Sequence, residues 1–334
     1  MKATANAQKR VLFVLKSRQV YGSGYSTSGL QNSAQFVADM LSYNGFTCKT
    51  VTVVDGNDID REAHAFQPDV VVLEAIWCPP YKLRELADLY PAVLWVIRGH
   101  SEIPFLANEG MAIKWIFEYQ KIPGVVFAVN SDRTAKDLCA HYLPNYYPQI
   151  GRLEQPENDI LNIGCYGAIR PLKNQLAQAF AAIRYAEECK VPLRFHVNAT
   201  RVEQGGEQVL KNLRSLFADD CRNELVEDEW IDRVGFLTLI GSMDVCMAVS
   251  FTETYCIVAA DAVSQHVALV TSSEVAWANP EIHADPNNIS DMVAKLRIAR
   301  GWRRKNLIHN NLQGLRRYNE LSTEIWINFL HQFD

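Results

Sequence analysis

What this chain of 334 residues lacks narrows it first. It has no strong charge of either sign: 33 Lys and Arg against 38 Asp and Glu leave a formal charge of −5, which argues against a surface built to coat nucleic acid. It has no apolar run near the ~18 residues that a membrane span requires. The five-residue run Val11–Leu15 follows a polar start and is too short for a signal-peptide core, so it reads as a first buried strand, with cytoplasmic location expected. It has no Cys-x-x-Cys pair and no His/Cys spacing of the structural-zinc kind, and no metal site is expected. The eight cysteines are scattered, several inside apolar runs, as buried thiols of a reducing compartment are.

What is present is alternation. Short apolar runs at 11–15, 49–54, 69–73, 93–97 and 125–129 read as strands, with helical spacing between them, as at Leu30, Ala34, Val37 and Leu41. Strands buried on both faces and separated by helices indicate a parallel, doubly wound α/β sheet. Pro144, Pro148, Gly151 and Pro156 then mark a break without periodicity. The alternation restarts with strands at 160–166, 193–197, 245–249 and 268–271, and a helix at 175–189. The expected organisation is a first α/β domain over 1–150 and a second over 151–316. A terminal helix over 317–334, with Ile325, Phe329 and Phe333 on one face, is expected to return to the first domain.

Several stretches carry candidate chemistry. Glu253 and Asp261 lie eight positions apart, behind the apolar run 245–249. If the interval is helical it spans about 12 Å, enough to reach both ends of a sugar nucleotide. A helix start there would offer N–H groups, those of Thr254 and Tyr255 among them, to a diphosphate. Gly167 ends another strand, where a glycine turn lets backbone approach phosphate, and Arg170 and Lys173 follow as cations for a leaving diphosphate. His100 follows the strand 93–97, at the end of a parallel strand where ligands gather. Gly22 and Gly24 form a loop after the first strand, but Thr27 stands where a dinucleotide fingerprint needs its third glycine. Asp58-Ile59-Asp60 has the look of a metal-binding D-x-D motif in a polar loop and is discounted. Lys295, Arg297, Arg300, Arg303, Arg304, Lys305, Arg316 and Arg317 form a basic run. It reads as a solvated helix face or as a patch for a polyanionic acceptor.

The acidic pair resembles that of retaining glycosyltransferases with the GT-B fold, of the family 4 type. Their two Rossmann-like domains face each other across a cleft, and they carry two glutamates at this interval. Here Asp261 stands in the second place. The Gly167–Lys173 segment is similar to the family's strand-end motif, with Ala168 where its arginine stands and Arg170 two residues later. The wording from Met243 to Thr254 looks like that of phage-encoded glycosyltransferases. The resemblance implies that Glu253 and His100 lie by the donor sugar, that Lys173 and Arg170 neutralise the diphosphate, and that Asp261 holds the ribose. It also implies that Gly22, Gly24 and Gly167 approach the phosphates, and that Asn145 shapes the junction between domains.

The expected activity is transfer of a sugar from a nucleotide sugar, a UDP-sugar, to a hydroxyl acceptor without a cofactor. The phage-like wording suggests a 5-hydroxymethyl pyrimidine in DNA as acceptor. A cell-surface glycan or lipid is the alternative, as are a nucleotide-sugar epimerase and a nucleotide-sugar-binding protein without catalysis. The oligomeric state is not legible.

Overall fold

The computed structural model describes residues 8–17, 29–148, 151 and 160–333. The chain divides into two compact units, one formed by Met1–Pro148 with Asn319–Asp334 and the other by Gln149–Tyr318.

The first unit runs β1 (Arg10–Lys16), α1 (Gly29–Tyr43), β2 (Thr47–Val53), α2 (Asp58–Phe66), β3 (Val70–Glu74), α3 (Pro80–Leu89) and β4 (Leu94–Gly99). It continues with α4 (Ile103–Leu106), α5 (Ala112–Tyr119), β5 (Val125–Val129), α6 (Asp132–Asp137) and β6 (His141–Tyr142). Its sheet has the order β2-β1-β3-β4-β5-β6, every pair parallel. The central strands are buried on both faces, which is why β3 reads Val-Val-Val-Leu without polar alternation.

The second unit runs β7 (Leu161–Gly164), a 3-10 turn (Pro171–Lys173), α7 (Gln175–Cys189), β8 (Leu193–Asn198), α8 (Gly206–Phe217), β9 (Asn223–Asp228), α9 (Arg233–Gly241) and β10 (Val245–Ala248). Then come α10 (Ile257–Ser264), β11 (Ala268–Thr271), a second 3-10 turn (Pro280–Ile282), α11 (Ile289–Arg300) and α12 (Arg304–His331). The sheet order is β11-β10-β7-β8-β9, again all parallel. From β7 the chain first builds outward to β8 and β9, then crosses back to β10 and β11. The order therefore reverses between β7 and β10, and loops leaving their carboxyl ends diverge there.

The carboxyl-terminal part of α12 belongs to the first unit. Trp326 is fully buried, with its ring 5.9 Å from that of Phe13, its indole N–H donating to Pro144 O at 2.8 Å, and the Arg98 guanidinium 5.3 Å from its ring. Asn319 adds two hydrogen bonds to the backbone of buried Tyr147, at 3.0 and 2.6 Å. A Trp326→Ala substitution should destabilise the first unit by about 3–5 kcal/mol in urea unfolding, from lost burial and a cavity. A loss below about 1 kcal/mol would show that this helix end is not part of its core.

Candidate functional site

The reversal point of the second sheet brings together the two loops that carry Lys173 and Glu253. Glu253 follows β10 by five residues and Lys173 ends the first 3-10 turn after β7. Lys173 Nζ donates to Glu253 Oε1 at 2.5 Å, and Ser250 Oγ donates to the same oxygen at 2.8 Å. The two side chains are 23% and 8% exposed, so the pair is sheltered but within reach of solvent. Burial disfavours the Lys173 ammonium, and the charge of Arg170 does too. The charge and hydrogen bond of Glu253, aided by Cys256, outweigh both and hold the lysine pKa above its ordinary value. Lys173 is therefore a cation throughout the neutral range.

The eight-residue interval is not one helix, as the sequence suggested. Residues 250–256 are irregular, and α10 starts only at Ile257, after Cys256 in the left-handed conformation at φ 62°. An L-residue there costs about 1–2 kcal/mol, so the turn is held by its surroundings. Thr254 and Tyr255 contribute backbone at this turn. The Tyr255 ring is core, 6.0 Å from the ring of Trp277 and 5.1 Å from that of Tyr318. Asp261 lies in the second turn of α10, 2% exposed, and Arg233 Nη2 donates to its Oδ1 at 2.7 Å. Its carboxylate is thus engaged by a residue at the start of α9 that the sequence reading passed over.

Gly167 and Arg170 lie in the loop that follows β7. Gly167 has φ 105°, open only to glycine, and its N–H donates to Asn198 Oδ1 at 2.9 Å. A Cβ there would meet nothing closer than Val258 at 3.9 Å, so backbone conformation rather than close approach requires the glycine. Arg170 pairs with Glu203 at 2.6 Å, and Glu203 also takes Arg201 at 2.7 Å. The Arg201 guanidinium lies 4.4 Å from the ring of Trp230. Arg170 is near enough to act on Lys173 electrostatically, and it shares its acidic partner Glu203 with Arg201, so the cluster keeps net positive charge. Gly206 fixes this wall by close approach: a Cβ would fall 2.0 Å from Ile169 O.

In the first unit, His100 follows β4 and contacts Glu74, the last residue of β3, through Nε2, while its Nδ1 is 3.2 Å from Asn130 Nδ2. Both ring nitrogens are thus engaged by the protein, which makes His100 a positioned side chain rather than a ready acid or base. Glu74 is fully buried and accepts two hydrogen bonds from Arg98 Nη1, at 3.1 and 3.2 Å. Arg98 also donates to Leu143 O, Pro144 O and Asn145 Oδ1, at 2.9, 2.9 and 2.6 Å. Burial pulls the His100 pKa below its ordinary value, and Arg98 adds to this, against the opposing charge of Glu74. Ala75, directly after Glu74, is held at φ 71°, a strained turn at the same edge.

The other candidates resolve simply. Gly22 and Gly24 lie outside the described residues. Asp58 caps Val54 N–H and pairs with Arg61, and Asp60 accepts from Tyr90, so the D-x-D pair serves α2. In the basic run, Arg297, Arg300 and Arg303 pair with Glu188, Asp244 and Glu281, while Lys295 and Arg304 donate to backbone carbonyls. No helix among the described residues is long and apolar enough to cross a membrane.

No protein-family profile matches the chain, and no curated protein matches it in sequence. Its fold does match solved structures. A sucrose-phosphate synthase from Thermosynechococcus elongatus aligns with a TM-score of 0.71 at 12% identity, covering 97% of this chain and 98% of that one. The fold is of the GT-B type. An α,α-trehalose-phosphate synthase (UDP-forming) from Burkholderia vietnamiensis aligns with a TM-score of 0.69 at 11% identity, over 98% of this chain and 97% of that one. A trehalose-6-phosphate protein of E. coli bound with UDP-2-fluoro glucose aligns with a TM-score of 0.66 at 9% identity, over 96% and 98%. Nothing in these likenesses points to the family 4 type or to phage proteins in particular.

The depressed His100 pKa has a consequence for stability. Below the ordinary value of 6.5 the unfolded chain takes up a proton that folded His100 resists. Its contribution is therefore present above that pH and lost as pH falls from there toward the folded value. In urea unfolding at pH 7.5, 6.0 and 5.0, wild type should lose stability with acidification more steeply than His100→Asn. Equal slopes would contradict the assignment.

Proposed function

We propose that the protein is a glycosyltransferase that moves a sugar from a nucleotide sugar, a UDP-sugar, to a hydroxyl acceptor with retention of configuration. The observation that carries this reading is the Lys173–Glu253 pair at the reversal point of the second sheet, where open parallel sheets bind ligands. A leaving nucleoside diphosphate gathers negative charge as the glycosidic bond breaks. A fixed ammonium in a sheltered site stabilises that charge with little reorganisation. Lys173 supplies it, and the amino end of α10 adds its dipole to the same segment. Glu253, held by Ser250, orients the sugar beside the breaking bond. Asp261 and Arg233 together form the ribose end. The reading calls for no cofactor besides the donor.

The names of the solved neighbours, sucrose-phosphate synthase and UDP-forming trehalose-phosphate synthase, support a sugar or sugar phosphate as acceptor. A hydroxymethyl pyrimidine in DNA has less behind it, because much of the basic run that would draw a polyanion is engaged by acids and carbonyls of its own unit.

The test is a panel of UDP-, GDP- and ADP-sugars against glucose, glucose 6-phosphate, fructose 6-phosphate and hydroxymethylcytosine DNA, read by mass spectrometry, with the anomeric configuration of the product read by NMR. Transfer from a UDP-sugar with retained configuration is expected. Lys173→Ala should lower kcat about 100- to 1000-fold while the fold survives, the scale seen when one charge-stabilising group is removed. Near-normal turnover in that variant would overturn the role of Lys173. No donor consumption by wild type would overturn the enzyme reading.

A further inference from the structure

We propose that Gln178 is a positioning residue for this site, the side chain that sets Lys173 and Glu253 in register; the inference rests on the function proposed for that pair.

Gln178 lies in the first turn of α7 and is 1% exposed. A buried amide is costly unless both of its ends are used. Both are. Nε2 donates to Lys173 O at 2.8 Å, and Oε1 accepts from Val249 N at 2.9 Å. Val249 comes directly after the last residue of β10 and is fully buried, so its N–H needs a partner beyond the strand ladder. Two further contacts lie alongside. Asn174, left-handed at φ 58°, donates through Nδ2 to Val249 O at 3.2 Å and to Pro286 O at 2.8 Å. Phe251 N donates to Leu172 O at 2.9 Å. Residues 172–174 and 249–251 are thus tied side by side, and Gln178 bonds both from outside, gripping the lysine turn with one end of its amide and the strand exit with the other. Lys173 belongs to one segment, and Glu253 is two residues beyond the other.

The chemistry explains why the residue is glutamine. The clamp needs a donor for Lys173 O and an acceptor for Val249 N on one planar group. A carboxylate would set an acceptor against a carbonyl, and leucine would leave a buried N–H without an acceptor. Being buried, Gln178 reaches a ligand only through Lys173 and Glu253. A purely structural role would lower stability and leave each folded molecule with a normal site. A positioning role alters the site in molecules that remain folded.

The experiment compares wild type with Gln178→Leu and Gln178→Asn, below their melting temperatures. The reactivity of Lys173 toward an acetylating N-hydroxysuccinimide ester is read by peptide mass spectrometry, with Lys114, 67% exposed in the other unit, as internal standard. Loosening the pair lowers the lysine pKa, and each unit of lowering gives roughly tenfold more free amine. Acetylation of Lys173 should rise about 3- to 10-fold in Gln178→Leu and less in Gln178→Asn, which keeps an amide able to reach one partner. On the same reading, kcat falls about tenfold with KM for the donor changed less than about threefold. Lys173 reactivity and kcat equal to wild type in folded variants would overturn the proposal, whatever the change in melting temperature. If Gln178→Leu fails to fold, Gln178→Asn decides by the same readings. If wild type transfers no sugar, the glycosyltransfer reading fails. Lys173 acetylation then decides the clamp alone: a rise supports it and no change overturns it.

Discussion

The constraint on which the rest depends is that each sheet is entirely parallel. Every strand then delivers its loop to the same edge, and where strand order reverses, neighbouring loops part and leave room between them. In the second unit the reversal falls between β7 and β10. The glycine turn, the lysine turn and the acidic loop all issue from those two strands. Residues 80 positions apart in sequence meet as an ion pair because the topology brings their strands together.

The two units each place an ion pair at a carboxyl edge, and their burial differs. Arg98 and Glu74 are both 0% exposed, and Arg98 uses its guanidinium on β3, the 143–145 segment and the ring of Trp326. Removing one partner of such a pair leaves an uncompensated buried charge, while the pair itself adds little net stability. It is a fastening that fixes His100, Asn130 and Asn145. Lys173 and Glu253 are partly open, held by Ser250 and by backbone clamps. A ligand can meet that pair without unfolding the unit.

Much of this was legible in the sequence, for physical reasons that can be named. Strands buried on both faces are unbroken apolar runs, so β1, β3, β5 and β10 stood out, and α7 coincides with the predicted 175–189. The sequence reading missed β9, because Asn-Glu-Leu-Val-Glu-Asp is the edge strand of its sheet and carries acids. It missed β6, only two residues long. Lys173 and Glu253 were singled out by their places after apolar strands and by resemblance to a family's motifs, and the structure brings them together as an ion pair. Partners were not legible. Nothing in the sequence shows that Arg170 turns to Glu203, that Arg233 takes Asp261, or that Asn198 takes the Gly167 N–H, since these pairs depend on loops far apart in the chain. Two signals were available and went unread. Glu74 ends an otherwise apolar strand, and Gln178 interrupts the alanine-rich buried face of α7. A polar residue where the pattern calls for an apolar one marks a group with a buried partner.

The central claim is that the reversal point of the second sheet binds a nucleoside diphosphate. It is tested most directly by hydrogen–deuterium exchange with and without UDP. The account predicts slowed exchange at amides of 165–174 and 250–258, with the first unit's 94–102 changing less. Protection confined to the groove at the opposite end of β8 and β9, lined by Arg194, Arg214 and Arg222, would contradict it.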